Sequence, residues 1–458
     1  MTARGARRSR ETRSSAPPPR SGCRRRPARG SPHRGPGRGP RGPRRGDRGK
    51  RRQPRRRLRP RASPAEVGTW PAGTNGPPAA AGGSGRRETA ARNRLRGRKL
   101  LPYSPQSVLL KSAPPTACRC PMLRPTTDPS ALYRYRDTLT AADVLTVAIH
   151  HLDLFTRLAA GPATRDELCA ELAIHRRPTE AMLSLALANG LLSRGTDGRL
   201  ATTPLAEEFL VAGSPFDMRA YYASVADKPG VADFLRVLRS GRPAAWPGEE
   251  AEADWHAAMQ TEAFAEAFTA AMDCRGRVLA PALAAAVDLA GHEHLLDIGG
   301  GSGVYAIGCV EADEALTATI LEAPPVDRIA ERTVAAAGLT GRIAVETIDM
   351  FAGDWPGDAD LHLFSNVLHD WDEPECLALL SKSSRSLAPG GRIVVHDMFL
   401  DDRRDGPLWA AEYSALLVTV TQGRLYSVGE VTAWLAACGR QLQSVTPTAM
   451  GRSVLVAR

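Results

Sequence analysis

HLLDIGGGSGVYAIG, His294 to Gly308, is the stretch whose reading decides the fold. Leu295, Leu296 and Ile298 make a short apolar run that breaks into Gly299, Gly300, Gly301, Ser302 and Gly303. This is the pattern of a buried parallel strand turning sharply into a helix. Glycines there remove the Cβ atoms that would hold a ligand away from the backbone, and the free N–H groups of the helix start face the gap. Asp297 puts a carboxylate at the carboxyl end of the strand, where open α/β sheets bind their ligands. D-x-G-x-G-x-G also overlaps the G-x-G-x-x-G/A of dinucleotide enzymes: counted from Gly301 and Gly303 the third position is Ala306, so the glycines alone leave a nicotinamide cofactor open.

The downstream sequence repeats the same device. ATILEAPPV reads as a second strand ending in Glu322, about twenty residues on, the place from which an acid reaches a ribose diol. VETIDMF ends a third strand in Asp349 and Met350, and ADLHLFSNVLHDWDEPE runs a fourth into His369, Asp370 and Trp371. RIVVHDMF gives a fifth, ending at Asp397. Strands alternating with helices predict an α/β domain over residues 291–458 with a mostly parallel, seven-stranded, Rossmann-like sheet. RQLQSVTPTAMGRSVLVAR has no room for a helix between its two apolar runs and predicts a closing antiparallel hairpin.

In order and spacing, LLDIGGGSG, ILEAPPV, IDMF, NVLHDWDEPEC and LAPGGRIVVHDMFL resemble the class I S-adenosylmethionine-dependent methyltransferases, and within them the small-molecule O-methyltransferases of plant phenylpropanoid, acetylserotonin and bacterial polyketide-tailoring type. The resemblance covers Leu139 to Arg458 and implies S-adenosylmethionine in place of nicotinamide. It implies that Gly299, Gly301 and Gly303 form the cofactor loop with Asp297 as its acidic anchor, that Glu322 takes both ribose hydroxyls, and that Asp349 and Met350 meet the adenine. Many plant members carry Lys where this chain has Ser365, a departure at one further cofactor contact. His369 matches the family's catalytic base and Asp397 one of the carboxylates that orient it. The second such carboxylate is replaced by Leu425, with Glu412 and Glu430 as candidates to substitute. An imidazole, with an ordinary pKa of ~6.5, suits the removal of a proton from a phenol of pKa ~10. The incomplete acid set leaves room for a carbon or nitrogen acceptor, or for another reaction on the same scaffold.

Upstream lies a different polymer. Residues 1–121 hold 33 Lys and Arg against 4 Asp and Glu, leaving 28 against 45 in the remainder. An Arg/Pro/Gly mixture without apolar periodicity predicts disorder. Nucleic-acid binding and a transit peptide compete with the reading that this arm lies outside the working protein, for which Met122 offers a start. Residues 122–216 read as helix, helix, helix and a small hairpin around Asp197-Gly198, the winged-helix arrangement. Its third helix, expected over Pro178 to Asn189, has Glu180 as its only charge, which argues against a DNA groove. In the resembling family this module dimerises, so a homodimer is expected. Residues 217–290 link the two domains as helices. The family resemblance assigns Trp255, Phe268 and Met272 there to the acceptor-pocket wall, where aromatic faces and Met side chains clamp a flat substrate.

No run of about 18 apolar residues occurs, so no membrane helix is expected. Scattered cysteines fit reduced thiols in a cytoplasmic protein, and no paired cluster suggests a metal site. Two classes of function therefore compete: a dimeric methyltransferase acting on a small, flat, hydroxylated acceptor, and a nucleic-acid-binding regulator built on the winged helix. The acidic folded part favours the first.

Overall fold

A computed structural model describes residues 123–244 and 258–458. The basic segment 1–121, the start at Met122 and the expected pocket residue Trp255 lie outside the described residues.

The first helices are α1 (Ser130–Asp137), α2 (Ala141–Thr146), α3 (Leu154–Ala160), α4 (Arg165–Leu172) and α5 (Arg176–Ala188). The sequence ADVLTVAIHHLDLFTRLA, with one continuous apolar stripe, predicts one helix. The structure breaks it: a π turn covers Val147–His151, and Asp153 takes a left-handed φ of 47° before α3 restarts. The break lets Ile149, Leu154 and Phe155 all bury in one core, which a straight helix would spread around its circumference. Thr164 caps α4 in a reciprocal box with Glu167. Helix α5 begins two residues earlier than the sequence pattern suggests, at Arg176, so it does carry basic residues. Arg177 nevertheless turns inward, donating to the carbonyls of Val418, Thr421, Gly423 and Gly241.

Strands β1 (Leu192–Arg194) and β2 (Leu200–Thr202) pair antiparallel around Asp197-Gly198, and α6 (Pro204–Leu210), α7 (Arg219–Ala223) and α8 (Pro229–Ser240) follow. The long α9 (Glu262–Ala286) leads into the sheet domain.

There β3 (His294–Ile298), α10 (Val304–Ala312), β4 (Thr317–Glu322), α11 (Val326–Ala336), β5 (Ile343–Thr347), β6 (Leu361–Ser365), α12 (Glu373–Ser386), β7 (Arg392–Met398), α13 (Leu408–Val420), α14 (Val428–Ala437), β8 (Leu442–Pro447) and β9 (Arg452–Ala457) follow in order. The sheet order is β5-β4-β3-β6-β7-β9-β8. Its first five strands are parallel, and β9 and β8 close it antiparallel, the hairpin expected from the last segment. The order reverses between β4 and β6 on either side of β3, which opens a crevice at the strands' carboxyl ends.

One boundary expected from sequence is crossed by packing. Helix α13 is apolar on nearly every side, and Ala410, Ala411, Ala415, Leu417 and Val418 join the same buried cluster as the core of the N-terminal helices. A helix apolar all round needs burial on both faces, so the sheet domain and the helical domain share it.

Candidate active site

The turn after β3 is held by backbone that favours glycine: Gly299, Gly301 and Gly303 have φ of 64°, 61° and 81°. They do different things. A Cβ on Gly301 would meet nothing within 4 Å, so this point borders open space, whereas a Cβ on Gly303 would collide with Ile320 Cδ1 of β4. Gly303 is therefore a packing position and does not line the crevice.

The crevice is a cavity of about 480 Å³. Gly299 to Ser302, Glu322, Asp349 and Met350 contribute to its wall, as do Met259, Phe268, Met272, Leu416 and Leu417, together with His369, Asp370 and Tyr413. Met259, upstream of α9, and Phe268 and Met272 of α9 line the cavity, and Phe268 stacks on Phe264 at 6.1 Å between ring centroids. Phe351 and Trp371, also on the wall, meet edge to face at 4.5 Å.

Glu322 sits where β4 ends. Its Oε1 accepts from the Gly301 amide (2.9 Å) and its Oε2 from the Ala323 amide (2.8 Å), which fixes the carboxylate while leaving each oxygen a lone pair for a diol. Burial pushes Glu322 up to about 7, against the pull of those two amides. A glycine cradle bordering open space beside a braced carboxylate suits the ribose and amino-acid part of S-adenosylmethionine, which has no phosphate to capture. Asp349 Oδ1 accepts from the amides of Phe351 and Ala352, holding the turn that carries Met350.

Besides Gly303, two of the expected cofactor contacts are placed differently. Asp297 is fully buried beneath the glycine turn, 2.7 Å from where a Gly300 Cβ would stand, and it is not part of the cavity wall. Neither of its oxygens makes a well-formed hydrogen bond among the described residues, and burial pushes it up to about 7. It supports the turn from inside the sheet. Ser365 does line the cavity, but its hydroxyl is engaged with His396 Nδ1 at 2.9 Å, a buried imidazole that burial pushes down to about 3.

His369 lies on a single 3-10 turn, Leu368–Asp370, just beyond β6, and is 3% exposed. Its Nδ1 stands 2.7 and 2.9 Å from the two oxygens of Asp397 at the end of β7. The carboxylate can only accept, so Nδ1 carries a proton and Nε2 is the nitrogen left for chemistry. Burial works against the charged imidazole. The Asp397 carboxylate, with Tyr413 and Asp370 beside it, outweighs burial and holds His369 up at about 9. Burial raises Asp397 in turn, but His369 prevails and keeps it below the usual carboxylate range.

The second flanking acid is neither sequence candidate. Glu412 pairs with Arg134 of α1 at 3.0 Å, and Glu430 caps α14 while pairing with Arg404 (2.8 Å) and Arg424. Leu425 is fully buried in the core. The acid beside Nε2 is Asp370, 3.6 Å away, which burial pushes up to about 6. The adjacent His-Asp in NVLHDW was its signal, missed because neighbours in sequence usually diverge and only the tight 3-10 turn brings them together.

Arg275 and Tyr413 carry no signal in the sequence. They come from two helices 138 residues apart in the chain, and Arg275 Nη1 donates to the Tyr413 hydroxyl at 2.8 Å. The Tyr413 ring stands edge-on to His369 at 5.7 Å between centroids. Among the described residues, no group of His, Cys, Asp and Glu could hold a metal ion, and no helix is long and apolar enough to cross a membrane.

Residues 234–440 match the O-methyltransferase domain family. A 3-hydroxy-5-methyl-1-naphthoate 3-O-methyltransferase from Streptomyces sahachiroi is 33% identical over 70% of this chain and 94% of its own length. An L-tyrosine C(3)-methyltransferase from Streptomyces lavendulae is 31% identical over 60% of this chain and 77% of its own. Among solved structures, an O-methyltransferase family 2 protein from Planctomyces limnophilus in complex with apigenin superposes with a TM-score of 0.67 at 29% identity, covering 74% of this chain and 98% of that one.

Proposed function

Because the chain belongs to the O-methyltransferase family and is an S-adenosylmethionine-dependent methyltransferase, we propose that it methylates a hydroxyl of a small, flat, aromatic acceptor, with His369 as general base. The observation that carries this reading is the buried His369–Asp397 pair opening on the same cavity as Glu322 and the glycine turn. Bound there, S-adenosylmethionine supplies a methyl group already activated on a sulfonium.

The residues of the chain do the rest. Glu322, Gly299 and Gly301 hold the ribose side, and Asp349 and Met350 the adenine side. Met259, Phe268 and Met272 press on the faces of the acceptor. Asp397 fixes the imidazole in the tautomer that leaves Nε2 facing the acceptor oxygen, and Nε2 takes the hydroxyl proton as that oxygen attacks. A positive charge in the cavity disfavours imidazolium, so His369 is driven toward the neutral form that can accept a proton. The apolar wall excludes water from the oxygen's path.

The aromatic acceptor rests on this wall and on the relatives: one methylates a hydroxynaphthoate, and the solved relative holds apigenin. The tyrosine relative is a C(3)-methyltransferase, so the chemical shift of the methyl in the product decides between oxygen and carbon. Exposed Leu132, Tyr135 and Tyr221 on helices, with Leu139 and Phe216 in the turns between helices, support a homodimer, for which light scattering at about twice the subunit mass is the check. The five cysteines described are free, which fits a cytoplasmic location. The function is tested by incubating the protein with methyl-labelled S-adenosylmethionine and a panel of phenols: His369→Ala loses roughly 10²- to 10⁴-fold in turnover while still binding the cofactor. Full turnover by that variant overturns the base assignment.

A further inference from the structure

Arg275 is a buried cation on the cavity wall, 7% exposed, and no carboxylate lies within ion-pair distance of it among the described residues. Its single hydrogen bond among the described residues runs from Nη1 to Tyr413, and its Nε has no partner among them. Arg452, 1% exposed, stands over the other part of the same phenol ring: the two guanidinium carbons lie 5.9 and 5.5 Å from the Tyr413 centroid. Arg452 too has no carboxylate partner among the described residues. It donates to Asn366 Oδ1 and the Met450 carbonyl, and its Nη2 is unpartnered. Asp137 at the end of α1, buried and paired through Oδ1 with Arg136 at 3.5 Å, and Asp370 act on Arg275 through space without touching it. Buried cations are ordinarily paired. This one faces a cavity instead.

Tyr413 completes the donor set. Its oxygen accepts from Arg275, which leaves its own O–H proton directed to something else, and no acceptor for it is found among the described residues. Arg275 and Tyr413 therefore place two neighbouring donors on the cavity wall, and no protein acceptor for the Tyr413 proton is found among the described residues. The Tyr413 ring separates them from the base: it is 5.7 Å from the His369 ring and 5.9 Å from the Arg275 guanidinium. A hydroxyl at His369 and an anionic group at Arg275 would thus flank the same Tyr413 ring.

We propose that the acceptor is a hydroxylated aromatic acid whose carboxylate, on the same or the adjoining ring as the methylated hydroxyl, binds to Arg275 and the Tyr413 hydroxyl. This deepens the methyltransferase reading above and rests on it. Arg136, also on the wall of this cavity, is paired with Asp137 at 3.5 Å.

The test uses the full chain, S-adenosylmethionine and naphthalene probes that differ only at the proposed contact: 3-hydroxy-2-naphthoate, 3-hydroxy-1-naphthoate, their methyl esters and 2-naphthol. The expected result is that at least one acid exceeds 2-naphthol in kcat/KM by roughly 10- to 100-fold, the range for hydrogen bonds to a charged group, mainly through KM, with the esters resembling 2-naphthol. Arg275→Met brings the acid-to-naphthol ratio close to one, and Arg275→Lys recovers part of it. Cofactor calorimetry reports whether each variant is folded. If Arg275→Met is not, Tyr413→Phe carries the test, with the ratio narrowing about five- to tenfold. Equal use of acids and 2-naphthol, or a ratio unmoved in Arg275→Met, overturns the inference while leaving the methyltransferase reading intact. If every probe is inert although the cofactor binds, the aromatic-acceptor reading falls, and this inference falls with it.

Discussion

Replacing Asp397 with Asn keeps the shape of the His369 contact and removes its charge. The imidazole is held at about 9 against an ordinary 6.5, a difference of about 3 kcal/mol in favour of the charged ring, at 1.36 kcal/mol for each factor of ten. That preference is reached although burial opposes it, and Asp397 is the first of the groups that supply it. In Asp397→Asn the opposing burial remains and the largest of the raising influences does not, so His369 falls from its native value. An amide can also donate to Nδ1, which turns the ring to the wrong tautomer and leaves Nε2 protonated. The expected loss in kcat/KM is roughly 10²- to 10⁴-fold, the usual contribution of a positioned base. The sign of the pH effect follows. The native enzyme gains activity as His369 loses its proton, so its rate rises with pH over a limb between about 6.5 and 9, and the variant's residual rate has that limb shifted to lower pH. The assay is formation of S-adenosylhomocysteine against pH, with cofactor affinity measured alongside. A variant that keeps native turnover, or keeps the ascending limb at its native position, refutes the pairing as the source of the base.

Glu322→Gln keeps the size of the side chain and loses the charge that a diol would meet, so S-adenosylmethionine affinity should fall about 10- to 100-fold by calorimetry. Because Glu322 stands at about 7 without ligand and the diol favours its ionised form, cofactor binding should weaken up to tenfold per pH unit as pH falls below 7. Glu322→Gln should abolish that step, and a step that persists points to another group. Gly303→Ala places a Cβ against Ile320 in left-handed backbone, at a cost of roughly 1–3 kcal/mol, read as a Tm lowered by several degrees. An unchanged Tm would show that β4 yields freely there.

The part of the site that could be read from sequence is the part written at strand ends. Glu322, Asp349, Met350, His369 and Asp397 each follow an apolar run, and parallel pairing of β3, β4, β5, β6 and β7 carries their ends to one side of the sheet. What escaped has no local signature. Asp297 is also at a strand end, yet it points beneath the turn, a choice of face that alternation cannot settle when a strand is buried on both sides. Arg275 and Tyr413 sit in helices whose apolar periodicity reads as core, and they meet only because α13 is shared between the two domains. Glu412 and Glu430 were plausible acids by position, but both had nearer arginines, Arg134 and Arg424, that no spacing rule revealed.

The central claim is tested most directly by a crystal of the protein grown with S-adenosylhomocysteine. The account predicts the ribose hydroxyls on the Glu322 carboxylate, the amino-acid end over Gly299 and Gly301, and the sulfur turned toward the side of the cavity where His369 Nε2 opens. A ligand bound elsewhere, or one whose sulfur faces away from His369, contradicts it.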